Sequence, residues 1–357
     1  MNQNDSFDRA PDLAAEEPLS AEQTASSPYT RAIELARALV SESDANQPDS
    51  MAERESQPPP VFPDQFPSAE PPERPLFQSF TQPAIVPHTR IPHLGHLALL
   101  LVLAASMGLL CSTLLVLAGL HFHLFGVSTL DQAKTDVHYT LGSTVALYLA
   151  TFAAALFVLP RVWRKGFFAG IQWNGPTALC LRWRLFAMGC LCFLLAMLDE
   201  ILLPSPANAP IDEMFRSPGA AWMMFGFGVT LAPFFEEIAF RGFLLPALAT
   251  AWDWAIERAT GKPPRPLDAR GHPQWSIFAM ILASILTSLP FALMHADQQG
   301  HALGPFLLLV AISLVLCAVR LRTRSVAASV AVHASYNFLL FAFMFLGSGG
   351  FRHLDKM

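Results

Sequence analysis

From Leu94 onward the chain is a succession of seven apolar segments, each close to the roughly 20 residues an α-helix needs to cross a hydrocarbon core. Nothing else constrains the fold as strongly. Lipid offers no hydrogen-bonding partner, so an apolar run of this length has to satisfy its own backbone groups, and it does so as a helix. The expected spans are 94–120, 138–160, 185–204, about 220–249, 275–295, 304–320 and 325–347. The third and sixth are short. The fourth is long enough to be tilted or broken instead of one straight helix. The fold class is an all-α polytopic transmembrane bundle of about seven spans.

Residues 1–90 have a different character. They are rich in Pro, Ser, Glu, Asp and Gln, and include Gln57-Pro58-Pro59-Pro60 followed by Pro71, Pro72 and Pro75. Such a stretch buries little area and supports no hydrogen-bonded ladder, so a disordered tail is expected. Within it, Ile33, Ala36, Leu39 and Val40 repeat at helical spacing over Thr30 to Val40, as a short docking helix or a transient one. Met1 to Asp12 lack a charged n-region with a short apolar core, and no cleavable signal peptide is expected.

The chain is 14% charged, against about 25% in soluble proteins. Its net charge of −5 and the lack of a basic helical stripe argue against nucleic acid as a partner. The five cysteines, Cys111, Cys180, Cys190, Cys192 and Cys317, read as small hydrophobes with no disulfide framework. Cys190 and Cys192, two apart on a helix, point to different faces. Loop charge sets the orientation. Arg161, Arg164, Lys165, Arg182, Arg184, Arg258, Lys262, Arg265, Arg270, Arg320, Arg322 and Arg324 fall in or beside one set of loops, whereas the alternate loops hold Lys134 and Arg216. The positive-inside rule then puts the N-terminal tail in the cytoplasm.

Three polar clusters interrupt the second half. Ionisable groups at bilayer depth cost at least about 2.5–3.5 kcal/mol each, and chains keep them for pairing, wet cavities or chemistry. In the first cluster, Glu237 and Arg241 stand four apart in the favourable order for a pair. Glu236 projects about 100° away and is left to face a cavity. The second is Phe291 to His295, which share a helix face at the end of span five. The third is His333 and Asn337, four apart in span seven. Taken singly, each has a structural explanation as an ion pair or as hydrogen-bonding glue between helices. Together, a carboxylate, a histidine, and a histidine with an amide can activate water and stabilise an oxyanion. The depths expected for Glu236, His295 and His333 do not coincide, which again points to a tilted or broken span. His121, His123 and His301 are assigned no role.

Glu-Glu-x-x-x-Arg at 236–241, Phe-x-x-x-His at 291–295 and His-x-x-x-Asn at 333–337 resemble the three ordered motifs of the CPBP intramembrane proteases. That family includes type II CAAX prenyl endopeptidases and bacterial bacteriocin-processing, immunity or abortive-infection-like proteins. The flanks Phe240-Arg241-Gly242 and Arg322-Thr323 agree with the pattern. Ser313 to Cys317, where the family is commonly glycine-rich, and Arg324, where a glycine often stands, depart from it in ways expected to alter packing and loop shape. The resemblance divides the chain into a tail (1–90), N-terminal transmembrane helices (91–215) and a catalytic region (216–347).

What the resemblance implies is hydrolysis of a peptide bond in a membrane-associated protein or peptide, with a CAAX-type prenylated tail as one substrate class. Glu236 and His295 would hold and deprotonate water, His333 and Asn337 would donate to the oxyanion, and Glu237, Arg241 and Phe291 would support them. No His-Glu-x-x-His is present. Glu236, His295 and His333 could supply three zinc ligands, but the favoured scheme requires no metal. Family distribution points to a bacterial cytoplasmic membrane. A non-catalytic scaffold or immunity protein is the main rival. An ion-coupled transporter is weaker, because no repeated halves are visible.

Overall fold

A computed structural model describes residues 90–203 and 218–352. The expectations for the tail, including Thr30 to Val40, lie outside the described residues. The described helices are α1 (Leu94–Phe122), α2 (Leu130–Thr135), α3 (Val137–Trp163), α4 (Phe167–Gly170), α5 (Gly175–Cys180), α6 (Arg182–Leu202), α7 (Gly219–Thr260), α8 (Ile277–Met294), α9 (Leu303–Thr323) and α10 (Val326–Gly347). Of these, α1, α3, α6, α7, α8, α9 and α10 are long and apolar enough to span a membrane. No strand forms among the described residues.

Local chemistry sets the helix starts. Asp136 accepts from the backbone N–H groups of His138 and Tyr139 and begins α3. Ser276 and Ser325 cap α8 and α10 by accepting from Ala279 and Ala328. Arg324 ends α9 at φ 50°, a left-handed position that glycine fills without strain. This gives the departure from the family pattern a physical meaning, and the arginine is held there by Asp268, 2.7 Å away.

Three apolar clusters tie the bundle together. Leu100 of α1, Ala155, Leu159 and Trp163 of α3, Ile238 and Phe243 of α7 and Val326 of α10 pack in one. In the second, α6, α9 and α10 meet through Leu185, Cys192, Ile312, Leu316, Val332 and Tyr336. There Gly189 lets α6 approach α10 so closely that a Cβ would sit 2.6 Å from Ser335 Cβ. The third joins α7, α8 and α9 through Leu245, Ala249, Ala279, Ala283 and Cys317. Outward side chains such as Leu101, Leu109 and Leu117 stay exposed, as a lipid-facing surface requires. All five cysteines are free; Cys192 is buried while Cys190 is only partly so, in keeping with different faces, but Cys180 is exposed.

Two expectations need correction. Arg320 is not a loop charge. Helix α9 runs to Thr323, and Arg320 is 2% exposed inside the bundle. Span four extends well beyond 249: α7 has 42 residues, about 63 Å at 1.5 Å per residue and roughly twice a hydrocarbon core.

Candidate active site

Helix α7 carries two prolines, Pro233 and Pro246, and each explains a local widening. Residues Phe227–Leu231 and Ile238–Leu244 are π-helical. In the first, the Ala232 N–H bonds to the Phe227 carbonyl, so the next acceptor, Gly228, would need the N–H of Pro233, which proline lacks. In the second, the Leu245 N–H bonds to Phe240, and Arg241 would need the N–H of Pro246. An orphan carbonyl in an apolar bundle has to find another donor. Asn337 Nδ2 of α10 donates to Gly228 O at 2.7 Å, and Arg320 Nε of α9 donates to Arg241 O at 3.2 Å. Arg320 Nη2 also reaches Ile171 O at 3.3 Å. The broken helix is thus stitched to its neighbours at the two points where proline breaks it.

Between those points lie the two glutamates. Glu237 and Arg241 are fully buried and pair at 2.7 Å. Arg241 Nη2 continues to Ser313 of α9, reaching its carbonyl at 3.1 Å and its hydroxyl at 2.6 Å. The same Glu237 oxygen lies 2.9 Å from His333 Nδ1. A carboxylate can only accept, so Nδ1 carries the proton. Glu237 is therefore the hub of a chain running Ser313–Arg241–Glu237–His333, and not only half of an ion pair.

Glu236 is 8% exposed and faces elsewhere. Its Oε2 lies 4.0 Å from His295 Nε2 and 4.0 Å from His333 Nε2. His295 caps the C-terminus of α8, with Nδ1 2.8 Å from the Phe291 carbonyl, which likewise can only accept. In their neutral forms both imidazoles turn an Nε2 lone pair toward one carboxylate oxygen. Phe291 separates this group from the cation below: its ring centroid is 5.0 Å from that of His295, 5.9 Å from that of His333 and 4.7 Å from the Arg241 guanidinium.

Glu236 also lines an apolar cavity of about 160 Å³ between α1, α3 and α7, with Leu100, Ala104, Leu147, Phe152 and Phe235 among its walls. This agrees with the expectation that one glutamate pairs while the other faces a cavity. Tyr148 of α3 lines the same cavity and interacts with the Glu236 carboxyl.

Glu236, His295 and His333 are thus brought together from α7, α8 and α10. The expected mismatch in depth is absent, since the three side chains meet at 4.0 Å, and α7 is interrupted by its π segments as a broken span four would be. Asn337 shares α10 with His333 but is engaged by Gly228. Tyr148, Ser313 and Arg320 were not singled out for the site by sequence. Ser313 sat in a segment read as packing, and Arg320 among loop charges. Pro233 and Pro246, thirteen apart in an apolar run, were the available signal for the breaks.

The donor types of Glu236, His295 and His333 suit zinc, but the spacing does not. Tetrahedral zinc with bonds of about 2.0–2.1 Å holds donors about 3.4 Å apart, short of the 4.0 Å separations. Among the described residues no three His, Cys, Asp or Glu side chains group as a metal site.

Residues 218–339 match the family described as type II CAAX prenyl endopeptidase Rce1-like. The match spans α7 to most of α10 and contains all three motifs. Neither the curated proteins nor the solved structures compared with the chain gave a match.

Proposed function

Residues 218–339 belong to the type II CAAX prenyl endopeptidase branch of the CPBP intramembrane proteases, and from that membership we propose that this integral membrane protein hydrolyses a peptide bond in a membrane-associated protein or peptide. The observation that carries the reading is the placement of Glu236 Oε2 at 4.0 Å from two imidazole Nε2 atoms whose other nitrogens are already committed as donors. That separation is too long for a direct hydrogen bond and suits one water oxygen held between the groups.

In this scheme Glu236 removes a proton from the water, which His295 Nε2 helps to hold, and the water oxygen adds to the scissile carbonyl. The oxyanion formed is met by His333 and Asn337. His333 donates from Nε2 only as an imidazolium, with the Glu237 carboxylate accepting from Nδ1 at 2.9 Å. Asn337 offers the amide hydrogen that Gly228 does not take. The proton held by Glu236 passes to the leaving amine as the C–N bond breaks. Zinc would act as a Lewis acid on the same water, but the donor spacing argues against it.

The apolar cavity beside Glu236 accommodates an apolar group of the substrate, which makes a prenylated CAAX-type tail the first class to try. The protein is placed in a bacterial cytoplasmic membrane with its N-terminus inside, on the strength of the loop charges and the family's distribution.

The test is cleavage of a peptide library, prenylated and unprenylated, by detergent-purified protein. Glu236→Gln and His295→Ala are each expected to lower the rate by about 10²–10⁴, and exhaustive chelation is expected to leave it unchanged. Cleavage undiminished in both variants removes the site assignment. Activity lost on chelation and restored by zinc overturns the metal-free scheme. A scaffold would bind its partner equally well with either substitution.

A further inference from the structure

We propose that Tyr148 is a positioning residue for Glu236, so that α3, outside the segment matching the family, supplies a fourth group to the site. The inference rests on the reading of Glu236 as the base, and it concerns how that carboxylate is held.

Glu236 follows Phe235 on α7, and nothing on α7 itself supplies a donor to it, since Arg241 is used by Glu237 and Ser313. Both imidazoles stand off at 4.0 Å. A carboxylate on a flexible two-carbon stem, facing an apolar cavity, needs a donor if its Oε2 is to stay between two histidines. Tyr148 is placed to be that donor. It lines the same cavity as Glu236 on the facing helix, and the two side chains interact there.

The ring is held as a positioning residue should be. Its centroid lies 5.1 Å from that of Phe235, the residue preceding Glu236, and 6.0 Å from that of Phe227 in the first π segment, stacked at 23°. Those contacts tie the phenol to the part of α7 that carries the glutamate. A phenol is neutral over the working pH range and keeps its proton, so it donates to Glu236 without competing for the proton taken from water. It also carries its hydroxyl on a rigid ring, in contrast to the long chains of Lys or Arg. Of the remaining walls, Leu100, Leu147, Ala155 and Phe167 carry no donor, and the hydroxyl of Thr151, one turn along α3, makes no hydrogen bond.

The chain has four tyrosines, Tyr29, Tyr139, Tyr148 and Tyr336, few enough for a spectroscopic assignment. Full-length protein carrying ring-deuterated tyrosine is purified in detergent, and the infrared spectrum of Glu236→Gln is subtracted from that of wild type. The difference is expected to contain a tyrosine band, displaced by deuteration, that vanishes when the same subtraction is made in a Tyr148→Phe background. A difference without that band, or a band that persists in the phenylalanine background, overturns the proposal. In cleavage assays Tyr148→Phe, which keeps the ring contacts, is expected to lower kcat about tenfold, the effect of losing one hydrogen bond to a charged group, with KM changed less than twofold. An unchanged kcat overturns the positioning role, whereas a purely structural ring predicts that result. If wild type cleaves no peptide, the hydrolase reading fails while the infrared subtraction still decides the contact.

Discussion

Removing the charges of Glu237 and Arg241 singly and together separates their structural role from their catalytic one. Both side chains are fully buried, and each touches a third group, His333 and Ser313 respectively. Replacing Arg241 by Met leaves a buried carboxylate whose Oε2 already lacks a partner. Replacing Glu237 by Leu leaves a buried guanidinium with Ser313 and the Phe291 ring but no carboxylate. Breaking a buried pair from one side costs about 3–5 kcal/mol, so independent effects would sum to about 6–10 kcal/mol. Removing both charges leaves mainly the His333 Nδ1–H without an acceptor, a cost of about 1–3 kcal/mol. Equilibrium unfolding of the four proteins in mixed detergent and SDS micelles is therefore expected to give a coupling larger than about 3 kcal/mol. Cleavage should behave differently. The double variant recovers stability but not the acceptor that sets the tautomer of His333, and its rate is expected to stay about 10²-fold below wild type. Additive single effects would refute the pairing, and a stable double variant with wild-type rates would refute the role of Glu237 in orienting His333.

The proline account of α7 predicts compensation: Asn337→Ala should cost about 1–3 kcal/mol by orphaning the Gly228 carbonyl, and adding Pro233→Ala should restore much of it by returning the missing N–H. No recovery in the same unfolding assay would refute that account. In the 261–276 segment, burial by itself raises the Asp268 carboxyl. The backbone N–H groups of His272 and Arg270 and the His272 ring outweigh it, holding the group below its ordinary value of 3.8. A depressed carboxylate contributes fully above that ordinary value and loses its contribution as pH falls through the lower folded one. Protection factors in this segment, that is, exchange corrected for its intrinsic pH dependence, should fall below about pH 4, and Asp268→Asn should abolish the dependence. Exchange indifferent to pH and to the substitution would count against it.

The match between sequence reading and structure was closest where one periodic signal decided the outcome. Span limits of 94–120 against Leu94–Phe122, or 325–347 against Val326–Gly347, differ by a few residues because hydropathy falls off gradually at helix ends. Arg320 was misplaced for a related reason: charge alone argues for a loop, and only two orphan carbonyls, on α7 and at Ile171, explain a cation kept inside. Tyr148 carried no signal, since one phenol in an apolar span looks like many others until the facing wall is known.

Residue pattern was enough to establish that the chain spans a membrane, that Glu237 and Arg241 pair, and that Glu236 is left over. These are properties of apolar length and of helical spacing, which act within a single element. What Glu236 meets became visible only once the helices were packed against one another. The 4.0 Å approach of two imidazoles, the Tyr148 phenol and the second duty of Glu237 all depend on how far α7 is widened at Pro233 and Pro246. Such displacements of a few ångströms arise from packing between helices distant in sequence, and no local pattern encodes them.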